Sequence, residues 1–287
     1  MAESTRVRRE TGAVAPDFTI DQRWSAYSQA EHARWDVLYQ RMMTILPGRA
    51  CKAFTDAAAA LKLSDGGIPD FEVLSDRLEA LTGWRVVGVP GLVPDEAFFD
   101  HLANRRFPAG CFIRDADEMD YIEEPDVFHD VFGHVPLLAN PVYADFMQAY
   151  GVGGARALKL GRLENLARLY WYTIEFGLIR EAGDLRLFGA GIMSSPTETI
   201  FALDNTSPNR IGFDLERVMR TNYRIDDFQQ TYFVIDSFED LLDAAMQDFG
   251  AVYERLGDGE AFAPQDIAAG DAVLHRGDQI YFDAQAA

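Results

Sequence analysis

Two histidines, His129 and His134, lie five residues apart in Glu124-Pro125-Asp126-Val127-Phe128-His129-Asp130-Val131-Phe132-Gly133-His134-Val135-Pro136, among mostly apolar neighbours. The whole chain has only five histidines. Neutral imidazole is the commonest metal ligand, and a metal gives two such rings a reason to sit together in apolar surroundings. On a regular α-helix, side chains five apart point about 140° away from each other. The spacing therefore predicts that both reach one ion only if His134 sits at a helix end, which Gly133 and Pro136 supply. The i, i+4 arrangement of the zinc peptidases is missing.

A third ligand has to come from elsewhere. The run Leu169-Tyr170-Trp171-Tyr172-Thr173-Ile174-Glu175-Phe176-Gly177-Leu178-Ile179 is apolar nearly all round, as a buried helix is, and its one charge is Glu175. A lone buried carboxylate is costly unless it is paired, protonated or bound to a cation. Arg168 and Arg180 stand at poor helical spacing to pair with it. His129, His134 and Glu175 together make two imidazoles and one carboxylate, the ligand set of non-haem Fe(II) oxygenases, with open positions left on the metal.

Periodicity and punctuation suggest the elements that must carry these groups. Apolar positions Trp24, Tyr27, Trp35, Leu38, Met42 and Ile45 predict a helix over 24–45, stopped by Pro47-Gly48. Further helices are expected over 53–63, 70–82, 95–105, from Pro141 to Gly151, and over 163–182. Ser195-Pro196-Thr197-Glu198 and Ser237-Phe238-Glu239-Asp240 open two more. Trp84–Val89 and Cys111–Arg114 read as short strands. The expected architecture is mainly α: a single helical, basket-like catalytic domain over 21–255 with a few short β-strands, a flexible lead over 1–20 and a peripheral tail over 256–287. It argues against a βαβ nucleotide-binding fold, and no GxGxxG or Walker motif appears.

Composition narrows the partners. With 46 acidic against 26 basic residues the net charge is −20, which speaks against nucleic acid and anionic membranes as partners. An anionic substrate would need a local cationic anchor. The two cysteines, Cys51 and Cys111, imply no disulfide framework. The polar N-terminus is not a signal peptide, and no apolar run has membrane-spanning length. A cytoplasmic location is expected.

The histidine block resembles the iron-binding signature of the pterin-dependent aromatic amino acid hydroxylases. Tyr170–Gly177 is similar to that family's third-ligand helix, and Gly189-Ala190-Gly191-Ile192-Met193-Ser194-Ser195 to its substrate-side loop. The likeness runs from about Val86 to about Leu242, and three blocks in the right order make it specific. The resemblance is strongest to the bacterial, phenylalanine-hydroxylating branch. It implies hydroxylation of L-phenylalanine to L-tyrosine, the first step of phenylalanine catabolism, with O2, mononuclear Fe(II) and a tetrahydrobiopterin-type cofactor. A monomer is expected, because the animal relatives' regulatory domain and tetramer-forming segment have no counterpart here. Tryptophan or tyrosine as substrate, or a zinc hydrolase with the same ligands, are the alternatives.

The resemblance also distributes roles. It assigns the substrate carboxylate to Arg114, oriented by Asp126, and the substrate surroundings to Pro125, Trp171, Gly191 and Ser194. It assigns the pterin to Phe98 as stacking platform, with Val93, Asp95, Asp130 and Tyr170 around it. Two departures stand out: Ile122 occupies a position where the family carries a threonine, and Asp130 replaces a glutamate common in animal members.

Overall fold

The computed structural model of the chain describes residues 13–64, 66–120, 122 and 124–285. Helix α1 spans Gln29–Ile45 and starts at Ser28, which forms a reciprocal capping box with Glu31. That cap is why the helix expected from 24 begins later. Trp24–Ala26 is a separate 3-10 turn, and Tyr27 leaves the helical stripe to donate its hydroxyl to the Cys111 carbonyl at 2.7 Å. Helices α2 (Lys52–Ala60) and α3 (Phe71–Thr82) follow, α3 closed by Gly83 in the left-handed conformation.

Strand β1 (Arg85–Val89), helix α4 (Asp95–Ala103) and strand β2 (Arg106–Gly110) form a parallel βαβ unit. The strand expected at Cys111–Arg114 thus lies just before it. Pro108 hides it from a propensity reading, yet a proline is tolerated in a two-stranded pair where an edge is free. Helix α5 (Pro141–Leu160) begins with Asn140 accepting from the Val142 and Tyr143 amides. It runs through Gly151 rather than ending there. A Cβ at Gly151 would come 2.5 Å from the Ala103 nitrogen, so the glycine lets α4 and α5 approach each other and stops nothing.

The helix expected over 163–182 is three elements. Helix α6 (Leu163–Tyr170) passes into a π-helical segment, Trp171–Glu175, and the chain then turns into strand β3 (Leu178–Glu181). A short run that is apolar all round fits a buried strand as well as a buried helix, which is why the two merge in the sequence. Strand β4 (Asp184–Leu187) closes a hairpin on β3. Then come α7 (Ala190–Met193), α8 (Pro196–Asp204), β5 (Asn209–Gly212), α9 (Leu215–Met219), β6 (Thr231–Ile235), α10 (Phe238–Ala245) and α11 (Phe249–Leu256). Last are β7 (Val273–His275) and α12 (Ile280–Gln285).

Strands β4-β3-β6-β5-β7 form one five-stranded mixed sheet, with β3, β6 and β5 mutually parallel. Helices predominate, but there is more sheet than "mainly α with a few short strands" allows. Segment 256–287, expected to be peripheral, supplies the edge strand β7 against β5 and buries Phe282 near Phe201. Of the expected flexible lead, 1–12 lie outside the described residues. Residues 13–20 are tied down: Ile20 bridges Gly88, and the Asp17 carbonyl accepts from His101 at 2.8 Å.

A single hydrophobic cluster links these layers. Phe128 and Phe132 stack at 4.8 Å and pack edge-on to Trp35 of α1 and Phe54 of α2. Their segment, Phe128–His134, is itself π-helical, and its phenylalanines anchor one side in the core.

Candidate metal centre

In a π-helix the backbone bonds run i to i+5, so residues five apart lie one above the other. His129 and His134 therefore share a side of their segment, and their Nε2 atoms are 3.2 Å apart. Glu175, last residue of the second π-helical segment, brings Oε1 to 3.2 Å from His134 Nε2 and Oε2 to 3.7 Å from His129 Nε2. The three ligand atoms all lie within 4.8 Å of one another. Two π segments facing each other build the cluster, where the spacing alone suggests a fraying helix end.

The surroundings set the protonation of these groups. The Ser194 hydroxyl donates its proton to the Ala190 carbonyl at 2.8 Å. It can then only accept at its 2.9 Å contact with His129 Nδ1, so that nitrogen carries the ring proton. Nε2 is left with its lone pair towards Glu175, the tautomer a metal ligand needs. Burial pushes the His129 imidazole down to about 4, so the ring is neutral near pH 7. Burial raises Glu175, but the imidazoles of His134 and His129 and the Gly191 amide outweigh it and hold the carboxyl below its ordinary range. Gly191 has to be glycine to come this close: a Cβ there would meet the Phe176 ring at 2.9 Å and Glu175 Oε2 at 3.1 Å. His134 Nδ1 is buried with no hydrogen-bond partner among the described residues. A neutral imidazole, a converging carboxylate and a second imidazole in a buried setting fit a divalent transition metal.

Beside the cluster, Arg114 and Asp126 form a buried fork, Nε to Oδ2 and Nη2 to Oδ1, both 2.9 Å. Asp126 also accepts from the backbone amides of Arg114 (2.9 Å) and His129 (3.0 Å). One carboxylate thus ties the arginine to the turn that carries His129. The fork leaves Arg114 Nη1 without a protein partner among the described residues. Pro125, half-buried, precedes Asp126.

The Asp130 Oδ2 accepts from the Gly110 amide at 2.7 Å. Burial pushes its carboxyl up to about 7. The Tyr170 ring lies 6.1 Å from His134 and 5.9 Å from Phe98, which α4 presents half-buried. Asp95 is exposed at the start of α4, and Val93 is half-exposed in the loop before it. No hydrogen bond or ring contact joins either to the cluster among the described residues. Trp171 opens the second π segment, stacks on Tyr223 at 4.4 Å and donates its indole N–H to Gln229 at 2.8 Å.

Three neighbours escape the sequence reading. Phe107 lies against the His134 ring at 5.1 Å, hidden because β2 is hidden. Tyr223 and Gln229 come from an irregular loop with no local signal. The other histidines have structural partners: His32 accepts from the Ile68 amide, and His101 and His275 donate to the carbonyls of Asp17 and Thr206.

This geometry, two histidines and a carboxylate converging on one point, is one that could hold a single metal ion. Over residues 3–256 the sequence matches the biopterin-dependent aromatic amino acid hydroxylases. The chain belongs to that family. It is 64% identical to the phenylalanine-4-hydroxylase of Caulobacter vibrioides, over 94% of this chain and 92% of that protein. It is 58% identical to that of Ralstonia nicotianae, over 92% and 84%. A crystal structure of Chromobacterium violaceum phenylalanine hydroxylase bound to cobalt superposes with a TM-score of 0.89 at 54% identity, over 92% of this chain and 95% of that one.

Proposed function

We propose that the protein is a phenylalanine 4-monooxygenase that converts L-phenylalanine to L-tyrosine with O2, Fe(II) and a tetrahydropterin. The observation that carries this is the convergence of His129, His134 and Glu175 in a chain whose relatives at 54–64% identity are phenylalanine-4-hydroxylases.

His129, His134 and Glu175 hold the iron through Nε2, Nε2 and a carboxylate oxygen. Iron bound there supplies, with the tetrahydropterin, the activation of O2, one oxygen atom going to the substrate ring and the other to the pterin. The protein's own residues bind, orient and keep water out. Ser194 holds the tautomer of His129. Arg114 turns its free Nη1 to the amino acid's carboxylate, while Asp126 locks the other two nitrogens. That buried cation is the local anchor an anionic group needs on a protein of net charge −20. Trp171, Pro125 and the Gly191–Ser194 turn border the aromatic ring of the substrate. Phe98 offers the pterin a stacking face, with Tyr170, Asp130, Val93 and Asp95 around it.

Residues 21–255 form the catalytic body on this reading, and 256–287 brace it. The two buried cysteines form no disulfide among the described residues, which supports a reducing, cytoplasmic setting; no described helix is long and apolar enough to cross a membrane. The test is tyrosine formation from L-phenylalanine by protein loaded with Fe(II) and supplied with tetrahydropterin and O2, with L-tryptophan and L-tyrosine as competitors. Iron-loaded protein that makes no tyrosine overturns the proposal, and a higher kcat/KM for tryptophan reassigns the substrate.

A further inference from the structure

Gln229 is a buried polar residue in an otherwise irregular loop, 222–230, far in sequence from every ligand. Its side-chain carbonyl accepts the Trp171 indole N–H at 2.8 Å, and its amide donates to the Arg224 carbonyl at 3.0 Å. The glutamine is thus oriented: reversing the amide would lose both bonds. The Glu198 carboxyl at the start of α8 accepts from its backbone N–H.

The loop is held at both ends. Asn222 accepts from Arg168 at 2.7 Å through its side chain and from the Tyr172 hydroxyl at 2.6 Å through its carbonyl. At the other end Phe228 stacks on Phe201 at 4.2 Å, and Asp227 accepts from the Tyr281 hydroxyl at 3.0 Å. Between these anchors the loop presents Tyr223 flat against Trp171, while Phe176 packs on the same indole at 4.8 Å. Stacking fixes the plane of the indole but leaves it free to slide and turn in that plane. A hydrogen bond at the ring edge removes that freedom. Trp171 begins the π turn that ends in Glu175, so the orientation of the indole is set relative to the metal ligands.

We propose that Gln229 is a positioning residue for the aromatic substrate, fixing through Trp171 the wall against which the substrate ring is registered. The proposal rests on the reading of Trp171 as a border of the ring pocket.

The experiment is a double-mutant cycle on the full chain with Gln229→Leu, Trp171→Phe and the two combined. The readouts are L-phenylalanine affinity by calorimetry, KM and kcat, and tyrosine formed per tetrahydropterin oxidised. Gln229→Leu is expected to weaken phenylalanine binding and raise KM by about three- to tenfold, the effect of one lost hydrogen bond, with kcat within about twofold. Tyrosine formed per pterin oxidised falls as well. Trp171→Phe, which removes the N–H donor, weakens binding too, and the double variant is no worse than Trp171→Phe alone. A purely structural role for Gln229 would instead add to the effect of Trp171→Phe. If Gln229→Leu does not fold, Gln229→Met, unbranched and close in volume, carries the same cycle. Multiplying effects in the double variant, or a Gln229 variant that binds phenylalanine as the parent does while Trp171→Phe does not, overturn the proposal alone. Trp171→Phe with unchanged affinity and KM overturns the reading of Trp171 as pocket wall, and the proposal with it.

Discussion

His129 and His134 bring their Nε2 atoms to 3.2 Å of each other although five residues separate them. On an α-helix the same spacing points side chains to different faces; the i to i+5 register of the Phe128–His134 segment aligns them. The stacked pair Phe128 and Phe132, fixed in the core against Trp35 and Phe54, holds that segment in place.

If the proposed ligand set holds, removing one of its side chains should remove the metal without unfolding the protein. His129→Ala and Glu175→Gln are each expected to cut tyrosine formation by at least about 100-fold and to lower iron content after dialysis. Full activity in either variant, with iron measured by emission spectroscopy, would remove that residue from the ligand set.

With His129 as a proposed ligand, Ser194 would bear on the metal only through that ring. Ser194→Ala takes away the acceptor of the Nδ1 proton, and the loss expected for such an outer partner is about 10- to 100-fold in iron affinity or activity. Competition with a chelator measures it. Unchanged affinity and activity would show that the tautomer is held by something else.

Arg114→Lys keeps the charge but loses the fork. A lysine cannot bond both Asp126 oxygens and still offer a nitrogen to a substrate carboxylate. KM for L-phenylalanine should rise by roughly tenfold or more, and an analogue without its carboxylate, phenethylamine, should lose the discrimination between parent and variant. Asp126→Asn is expected to be less stable than Arg114→Lys, since it leaves a buried guanidinium unpaired at a cost of about 3–5 kcal/mol.

Glu198 gives the clearest pH signature. Burial pushes its carboxyl from 4.5 up to about 7, against the hydroxyl of Tyr232, which it accepts. The folded state thus binds this proton more tightly than the unfolded chain does. Its contribution to stability is in full below about pH 4.5 and is lost as pH rises through about 7, a change on the order of 3 kcal/mol. Glu198→Gln keeps the acceptor and removes the charge, so its Tm should exceed that of the parent at pH 8 and approach it at pH 5. Parallel Tm profiles across that range would refute the assignment.

Much of the site is legible in the sequence because its residues violate local expectation: a carboxylate in an apolar run, two imidazoles among phenylalanines. Several elements are legible for the opposite reason, since Asn140 and Ser195 cap the helices they precede by short-range hydrogen bonds. What fails is placed by distant contacts. Gly151 resembles a helix stop but serves a crossing with α4, β2 is disguised by Pro108, and the tail gains its strand only because β5 offers a free edge.

Residue chemistry alone sets the candidate ligand types, the lone carboxylate of an apolar run and the apolar shell for which a metal is a natural partner, because burial cost and ligand chemistry belong to the residues themselves. How these groups meet is set by contacts between elements distant in the chain. The π register, the neutral tautomer fixed by Ser194 and the grip of Gln229 on Trp171 each depend on groups separated in the chain by up to 65 residues. Contacts over such separations exist only once the core has closed, and no local pattern records them.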